Sequence, residues 1–239
     1  MSGPVNSNAR EREKTMYHLL SYPINDHMPA WPDSPQLNVD KRLQIAKGDV
    51  ANTVYFSFYN HTGTHMDAPN HYLADGIQIA QLPLERFIYE KPVMVEIPKG
   101  PCQKVTTEDL LPYAGQIAEC DLLMIHTGFD RVRQTDIPTF EQKGPGIGSD
   151  CAAWLVEHAP ALKTVAVDFV SLASFSDQED GNQTHRTLFR GKDGHFICGI
   201  EDVHMLPVVG KRLKKVMALP MLIQGVDSAP VTMVAETDD

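Results

Sequence analysis

Three histidines and one aspartate stand within residues 61–71, which read HTGTHMDAPNH. His61 and His65 have the i, i+4 spacing of a helical metal site, but the threonines, glycine and proline of this segment disfavour a helix. In an extended chain, alternate side chains share one face, and His61, His65, Asp67 and His71 all occupy odd positions. The segment therefore predicts that four ligand-type groups converge on one point.

This set of side chains favours a catalytic metal ion. Imidazole nitrogens and a carboxylate form a borderline ligand set that suits Zn²⁺, Mn²⁺ or Fe²⁺. Because no cysteine lies in the segment, a purely structural zinc site is disfavoured. A single loop histidine is usually a polar surface or core residue, but the density of ligand types here points to a functional site with open coordination positions.

The composition disfavours several other classes of protein. The chain has 239 residues, and its 31 acidic and 21 basic side chains give a formal charge of −10, so nucleic acid and anionic lipid are poor partners. No apolar run approaches the roughly 18 residues of a membrane span. The four cysteines lie far apart without a Cys-x-x-Cys pair, which indicates free thiols in a reducing compartment. We expect a cytoplasmic protein.

The elements that position the site are predicted from hydrophobic patterns. A strand is predicted over residues 52–60, and buried strands over 121–126, 163–169 and 216–223. A short helix is predicted to begin at Thr107, and a longer one, capped by Ser149 and Asp150, over 149–158. Residues 1–15 are polar and predict a flexible arm. With no repeat or linker, residues 16–239 predict a single mixed α/β domain.

The segment HTGTHMDAPNH resembles the His-x-Gly-Thr-His-x-Asp-x-Pro-x-His signature of the putative cyclase family of metal-dependent hydrolases. This family includes bacterial kynurenine formamidase and isatin hydrolase. The resemblance extends over most of the chain through shorter motifs. These motifs are PAWP at 29–32, HTGF at 126–129, Val167-Asp168 leading to Ser171, Ile200-Glu201 and DSAPV at 227–231.

The resemblance implies a metal centre that holds one or two ions of Zn²⁺ or Mn²⁺ per subunit. By position, His61 and His65 would bind one ion, and Asp67 would bridge to a second. His185 would be a ligand of the second ion, and Glu201 would be a bridging carboxylate. By position, His71 would be the proton donor and acceptor, and Trp31 would contact the substrate.

The residues alone leave the C-terminal assignments open. His185 lies in the polar stretch GNQTHRTLF, which predicts a loop, where a surface histidine is the usual outcome. Glu201 follows an apolar stretch, and a metal or a salt bridge would equally satisfy a carboxylate there. Asp202 is the alternative ligand if the register is shifted by one. The histidines interpreted as structural or surface residues are His126, His158, His195 and His204.

These observations predict a metal-dependent amidohydrolase of the arylformamidase or isatin hydrolase type. It would cleave a C–N amide bond of a small aromatic substrate, an aryl formamide or a cyclic amide, by metal-bound hydroxide with His71 as acid and base. Trp31 favours a flat aromatic substrate through stacking. One alternative is a hydrolase or cyclase acting on another acyl compound or a lactone, and another is a non-catalytic metal-binding module.

For the fold, the resemblance implies a single compact α/β domain with a β-barrel-like mixed sheet and flanking helices, of the cyclase-like, swivelling type. It also implies a homo-oligomer, either a homodimer or a homotetramer, whose N-terminal arm reaches its neighbour. Hydrophobic periodicity by itself supports only the mixed α/β part of this expectation.

Overall fold

The computed structural model describes residues 15–238, which contain thirteen strands and six α-helices. The strands are β1 (Met16–Leu19), β2 (Asn38–Leu43), β3 (Thr53–Ser57), β4 (His65–Asp67), β5 (Ile88–Tyr89), β6 (Pro92–Glu96), β7 (Lys104–Val105), β8 (Leu122–His126), β9 (Gly146–Ile147), β10 (Thr164–Val167), β11 (Cys198–Glu201), β12 (Leu213–Pro220) and β13 (Ser228–Thr237). The helices are α1 (Thr107–Leu110), α2 (Ala114–Ile117), α3 (Asp130–Thr135), α4 (Ile137–Lys143), α5 (Ser149–His158) and α6 (Gln178–Arg190).

Nine strands form one mixed sheet in the order β5-β12-β13-β4-β11-β10-β8-β6, with β1 paired to β13. Neighbours within β6, β8, β10 and β11 run parallel, and the remaining pairs are antiparallel. The two ends of this order, β5 and β6, are separated in the chain only by Glu90 and Lys91. The sheet therefore curls into a nearly closed barrel, which confirms the predicted mixed α/β fold with a barrel-like sheet.

The Asp121 side chain holds the closure of this barrel. Its carboxylate accepts hydrogen bonds from the backbone N–H groups of Glu90 and Lys91, both at 2.9 Å. Lys163 donates to the same carboxylate at 3.2 Å. A single buried acid thus joins the β5–β6 connection to the starts of β8 and β10.

Alternating strand side chains supply two hydrophobic cores. On β8, Leu122 and Met124 belong to a core with Met66 of β4 and residues of β12 and β13. Leu123 and Ile125 belong to a second core, which the buried side of α5 completes. Because both faces of the central parallel strands are covered, these strands are continuously apolar.

Most predicted elements are confirmed. Strands β3, β8 and β10 and helices α1 and α5 lie within or close to the expected ranges, whereas β12 begins three residues earlier than predicted and ends at Pro220. Helix α5 is capped by Gly148 without a side-chain hydrogen bond. The expected cap Asp150 instead accepts a hydrogen bond from the backbone N–H of Thr107 at 3.0 Å.

The prediction of a loop around His185 is wrong, because His185 lies inside α6. Asp177 caps this helix by accepting a hydrogen bond from the backbone N–H of Asp180. Only a narrow stripe of α6 is buried, and the rest of its surface is polar, which explains why the stretch resembles a loop. The buried residues are Gly181, Thr184, His185, Leu188 and Phe189.

A separate two-stranded hairpin, β2–β3, stays outside the barrel. Every residue of β3 is exposed, including Val54, Tyr55 and Phe56. The predicted arm over residues 1–15 lies outside the described residues except for Thr15. None of the described helices is long and apolar enough to cross a bilayer.

Candidate metal centre and pocket

Strand β4 carries His65 and Asp67 in the middle of the sheet. It pairs with β11 on one side and with β13 on the other, so that His65 lies opposite Glu201. The prediction that residues 61–71 form one extended segment is correct only for His65 and Asp67. His61 precedes the strand, and His71 ends a 3₁₀ turn that begins at Pro69. The bend before β4 and the 3₁₀ turn after it bring His61 and His71 back beside Asp67.

Asp67 lies at the centre of this arrangement. Its Oδ1 atom is 3.1 Å from Nδ1 of His61 and 3.6 Å from Nε2 of His65. The ligand-type atoms of His61, Asp67 and His71 lie within 4.8 Å of one another, and those of His65, Asp67 and Glu201 do the same. Asp67 thus belongs to both groups.

Glu201 connects two histidines from different elements. Its Oε2 atom lies 3.2 Å from Nε2 of His65, and its Oε1 atom lies 3.4 Å from Nε2 of His185. Asp202, the alternative in the sequence, is paired instead with the guanidinium of Arg133 at 2.6 and 2.8 Å. The structure therefore brings Glu201, and not the Asp202 carboxylate, between the two histidines.

Two glycine carbonyls orient these histidines. Nδ1 of His65 donates to the carbonyl oxygen of Gly63 at 2.7 Å, and Nδ1 of His185 donates to that of Gly181 at 2.8 Å. This fixes the tautomer and leaves Nε2 of each ring for a ligand. Gly63 has φ +62°, a left-handed backbone that glycine adopts without the strain of a Cβ atom.

The residues present fit a divalent metal ion. Nε2 of His65 and both carboxylate oxygens of Asp67 are buried and have no hydrogen-bond partner. Buried polar atoms are normally satisfied, and an unpaired buried carboxylate is costly. Imidazole nitrogens and carboxylate oxygens at this spacing supply the borderline ligands that Zn²⁺ and Mn²⁺ accept.

A cavity of about 240 Å³ opens beside the cluster. Its lining includes His61, His65, His71, His185 and Glu201, together with Trp31. The Trp31 ring contacts Phe175 edge to face, with 5.4 Å between centroids. Six of the seven residues predicted for the site therefore line this cavity. The seventh, Asp67, contacts His61 and His65 of the lining.

Sequence comparison assigns the family. A sequence model described as putative cyclase matches residues 19–174. The chain belongs to the putative cyclase family. Cyclase-like protein 1 of Arabidopsis thaliana is 26% identical over 220 residues, covering 88% of this chain and 81% of the relative. Kynurenine formamidase of Geobacillus thermodenitrificans is 25% identical over 214 residues, covering 89% and 93%.

Solved structures of similar proteins share the fold of this family member. Isatin hydrolase A from Labrenzia aggregata, bound to benzyl benzoate, superposes with a TM-score of 0.80 at 15% identity, over 94% of each chain. A potential metal-dependent hydrolase with cyclase activity superposes with a TM-score of 0.72 at 21% identity, over 95% of this chain and all of the other. The suspected family resemblance is confirmed.

Asp227 is a residue of this cyclase-family site that sequence reasoning missed. Its Oδ2 atom lies 2.9 Å from Nε2 of His61 and 2.7 Å from Nδ1 of His71. Asn60 donates a hydrogen bond to the other oxygen at 2.8 Å. In the sequence, Asp227 contributes only to the DSAPV motif. Its contact with the histidines arises because the following strand, β13, pairs with β4.

Electrostatics keep the acids of the site ionised. Burial alone would raise the pKa of Glu201, as would the charge of Asp67, but the contacts with His185 and His65 lower it to about 2. Burial would lower the pKa of His61, but the charge of Asp67 and the hydrogen bond and charge of Asp227 raise it to about 11. Without a metal ion, protons on the histidines therefore balance the carboxylates.

Proposed function

We propose that the protein is a metal-dependent hydrolase that cleaves a C–N amide bond of a small aromatic substrate, either an aryl formamide or a cyclic amide. The observation that carries this proposal is the set of unsatisfied ligand atoms around Asp67 beside a pocket with an aromatic wall. Relatives named kynurenine formamidase and isatin hydrolase support the hydrolase class and the amide bond.

One or two ions of Zn²⁺ or Mn²⁺ would be held by the clustered ligands. His61, His65 and Asp67 would hold one ion, and Asp67, His185 and Glu201 would hold a second. When bound, such an ion lowers the pKa of a water ligand from about 15.7 toward about 7 and polarises the substrate carbonyl. Ser171 and the backbone N–H of Leu172 donate to Oε1 of Glu201 at 3.0 and 2.7 Å, which fixes this carboxylate.

His71 is the proposed acid and base. The ionised Asp227 can only accept a hydrogen bond, so Nδ1 of His71 carries the proton of this contact and Nε2 carries the lone pair. Nε2 can therefore take a proton from the attacking water and deliver it to the leaving nitrogen. The side chain of His71 is 26% exposed and lines the cavity, so a substrate can reach it.

The pocket suits a small flat substrate. Its volume of about 240 Å³ is slightly below the usual range for ligand pockets, which is roughly 300–1,000 Å³. Trp31 lines one wall, and Tyr72 stacks on His185 with 4.5 Å between ring centroids. An aromatic ring could contact these faces while its amide carbonyl points toward Asp67 and Glu201.

We also propose that the protein acts as a homodimer or homotetramer. The exposed apolar side chains of β3, with Val39 and Leu43 on the paired strand β2, form a surface that would gain from burial against another copy. Analytical ultracentrifugation of the full chain and of a Tyr55→Ser/Phe56→Ser variant tests this. A monomeric wild type would contradict the proposal.

Hydrolysis assays test the proposed activity. The purified chain would be loaded with Zn²⁺ or Mn²⁺ and assayed with N-formylkynurenine and with isatin, beside a chelated control. We expect turnover of at least one substrate that is lost on chelation while the circular dichroism spectrum is retained. The variant Trp31→Ala should raise KM for the accepted substrate, whereas Trp154→Ala, outside the pocket, is the matched control.

Three outcomes would contradict the proposal in different ways. Turnover that survives complete chelation would show that hydrolysis does not need a metal ion. Unfolding on chelation without turnover would favour a structural metal-binding module. Hydrolysis of lactones or other acyl compounds, but of neither amide, would instead support the alternative of a hydrolase or cyclase acting on another acyl compound or a lactone.

A further inference from the structure

A second group of ligand-type side chains lies outside the candidate metal centre. His126 ends β8, Asp168 directly follows β10, and Asp130 begins α3. Strands β8 and β10 are parallel neighbours, so His126 and Asp168 lie at the same edge of the sheet. The ligand-type atoms of the three residues lie within 4.8 Å of one another, and all three side chains are buried.

The separations within this group are those of ligands around a shared centre. Nε2 of His126 lies 3.5 Å from Oδ1 of Asp130 and 3.8 Å from Oδ2 of Asp168. These distances exceed those of ordinary hydrogen bonds. Two ligands at about 2.0–2.2 Å from one ion in tetrahedral geometry lie about 3.3–3.6 Å apart.

The three side chains differ in the number of hydrogen bonds that they make. The Asp168 carboxylate accepts hydrogen bonds from the backbone N–H groups of Thr127, Gly128 and Phe129, at 2.8 to 3.1 Å, and from the Thr127 hydroxyl. The Asp130 side chain is 0% exposed, and neither of its oxygens makes a hydrogen bond; the nearest ligand-type atom is Nε2 of His126 at 3.5 Å. Nε2 of His126 is also buried and unpaired.

Apart from a protonated His126, no described cation within reach neutralises Asp130. The guanidinium of Arg133 is one turn away, but it is engaged by both oxygens of Asp202 at 2.6 and 2.8 Å. His204 and Tyr22, which stack on each other near Arg133, bring no fixed positive charge. With a neutral imidazole, the group carries two buried negative charges, and such charge is costly unless it is paired or coordinates a metal.

We propose that His126, Asp130 and Asp168 bind a divalent cation, Zn²⁺ or Mn²⁺, at a site separate from the candidate metal centre. One imidazole nitrogen and two carboxylates form the same borderline ligand type that favours these ions. The ion would join the ends of β8 and β10 to the first turn of α3. Because the ligands are almost fully buried, its role is to stabilise this edge of the barrel and not to bind substrate.

Counting ions in full-length variants tests the site. Wild type and each variant would be stripped with chelator, reconstituted with Zn²⁺, and measured by elemental mass spectrometry. Asp130→Asn and His126→Gln should each lose one ion per chain relative to wild type. Asp67→Ala, the matched variant in the candidate metal centre, should retain one ion. Equal zinc content in wild type and Asp130→Asn, or no zinc in a folded Asp67→Ala protein, would overturn the proposal.

A measurement on the wild type removes any dependence on how the variants fold. Anomalous diffraction at the zinc edge should show a peak between His126 and Asp130, about 2 Å from each ligand atom. Peaks only at the candidate metal centre would overturn the proposal. In that case a proton on His126, shared with the two carboxylates, would account for the buried charge. The outcome does not depend on which substrate the enzyme hydrolyses.

Discussion

Oδ2 of Asp227 lies 2.7 Å from Nδ1 of His71. The same oxygen lies 2.9 Å from Nε2 of His61, so one carboxylate orients both the proposed base and a proposed metal ligand. Burial alone would raise the pKa of Asp227, but its hydrogen bonds to the two histidines hold that pKa well below its usual value. Asp227 is therefore an anion that positions its neighbours and stabilises positive charge on them.

Replacing this anion should slow catalysis. In Asp227→Asn, the amide keeps the shape of the side chain but loses its charge and can present N–H to the imidazoles. We expect kcat at saturating Zn²⁺ to fall about 10- to 100-fold, as for other residues that orient ligands and bases. Asp75→Asn, at an exposed aspartate outside the site, is the matched control. An unchanged kcat in metal-loaded Asp227→Asn would contradict the positioning role.

His71→Ala should separate proton transfer from metal binding. Loss of a general acid–base group lowers turnover by about 10²- to 10⁴-fold. The zinc content should stay equal to that of the wild type, because His61, His65, Asp67, His185 and Glu201 remain. Elemental analysis beside steady-state kinetics checks both parts. If zinc is lost together with activity, His71 is a ligand, and the proton must be carried by another group.

Asp67→Ala, unlike His71→Ala, should lose its bound zinc as well as its activity. Because Asp67 belongs to both groups of ligand atoms, its removal should release the ions of the candidate metal centre and abolish turnover. Zinc counting and circular dichroism check this, with Asp75→Ala as the matched control. Full occupancy of the centre in a folded Asp67→Ala protein would refute the bridging role.

Metal affinity should rise with pH. In the metal-free protein, burial would lower the pKa of His61, but Asp67 and Asp227 raise it to about 11. A metal ion must displace this proton, so the apparent affinity for Zn²⁺ should increase as pH rises in the range below that value. Calorimetry in two buffers with different ionisation enthalpies measures the protons released. Binding with no proton release at pH 7 would contradict this account.

Breaking the Arg133–Asp202 pair should destabilise the fold. Both side chains are buried, with exposures of 10% and 3%, and the contact is bidentate. Arg133→Met leaves the Asp202 carboxylate without its partner, which costs about 3–5 kcal/mol in comparable buried pairs. Urea unfolding of the metal-loaded protein measures the change.

The double variant Arg133→Met/Asp202→Asn provides the control for this prediction, because it removes the stranded charge. Asparagine also tolerates the left-handed backbone of position 202, where φ is +53°. We expect it to recover part of the lost free energy of unfolding. If Arg133→Met is as stable as the wild type, another group must neutralise the Asp202 carboxylate, and the prediction is wrong.

Local sequence was sufficient to predict that residues 61–71 form part of the site, but not that His185 and Asp227 contribute to it. Residues 61–71 contain three histidines and one aspartate at close spacing, and the turns on either side of one short strand bring them together. His185 could be assigned only from the family resemblance, since the buried stripe of α6 is narrow and its other residues are polar. The role of Asp227 could not be predicted, because the pairing of β13 with β4 is a long-range register that local periodicity does not encode.

The fold shows the same division. The apolar runs of β8 and β10 predict buried strands, since both faces of a parallel strand are covered. Their order in the sheet and the closure through Glu90 and Lys91 depend on contacts between distant segments. Likewise, Ser149 and Asp150 have the composition of helix caps, but Asp150 instead holds the start of α1.

Strand β4 has both of its sheet neighbours, β11 and β13, far downstream, and His61 and Asp227 are separated by 166 residues. During synthesis on the ribosome, the ligand-rich segment therefore emerges long before the strands that enclose it. A metal ion captured early would meet an open and exchangeable set of side chains. Such distant pairings also make folding slow. An ion at the proposed centre would be enclosed only when β13, the last described strand, has paired with β4.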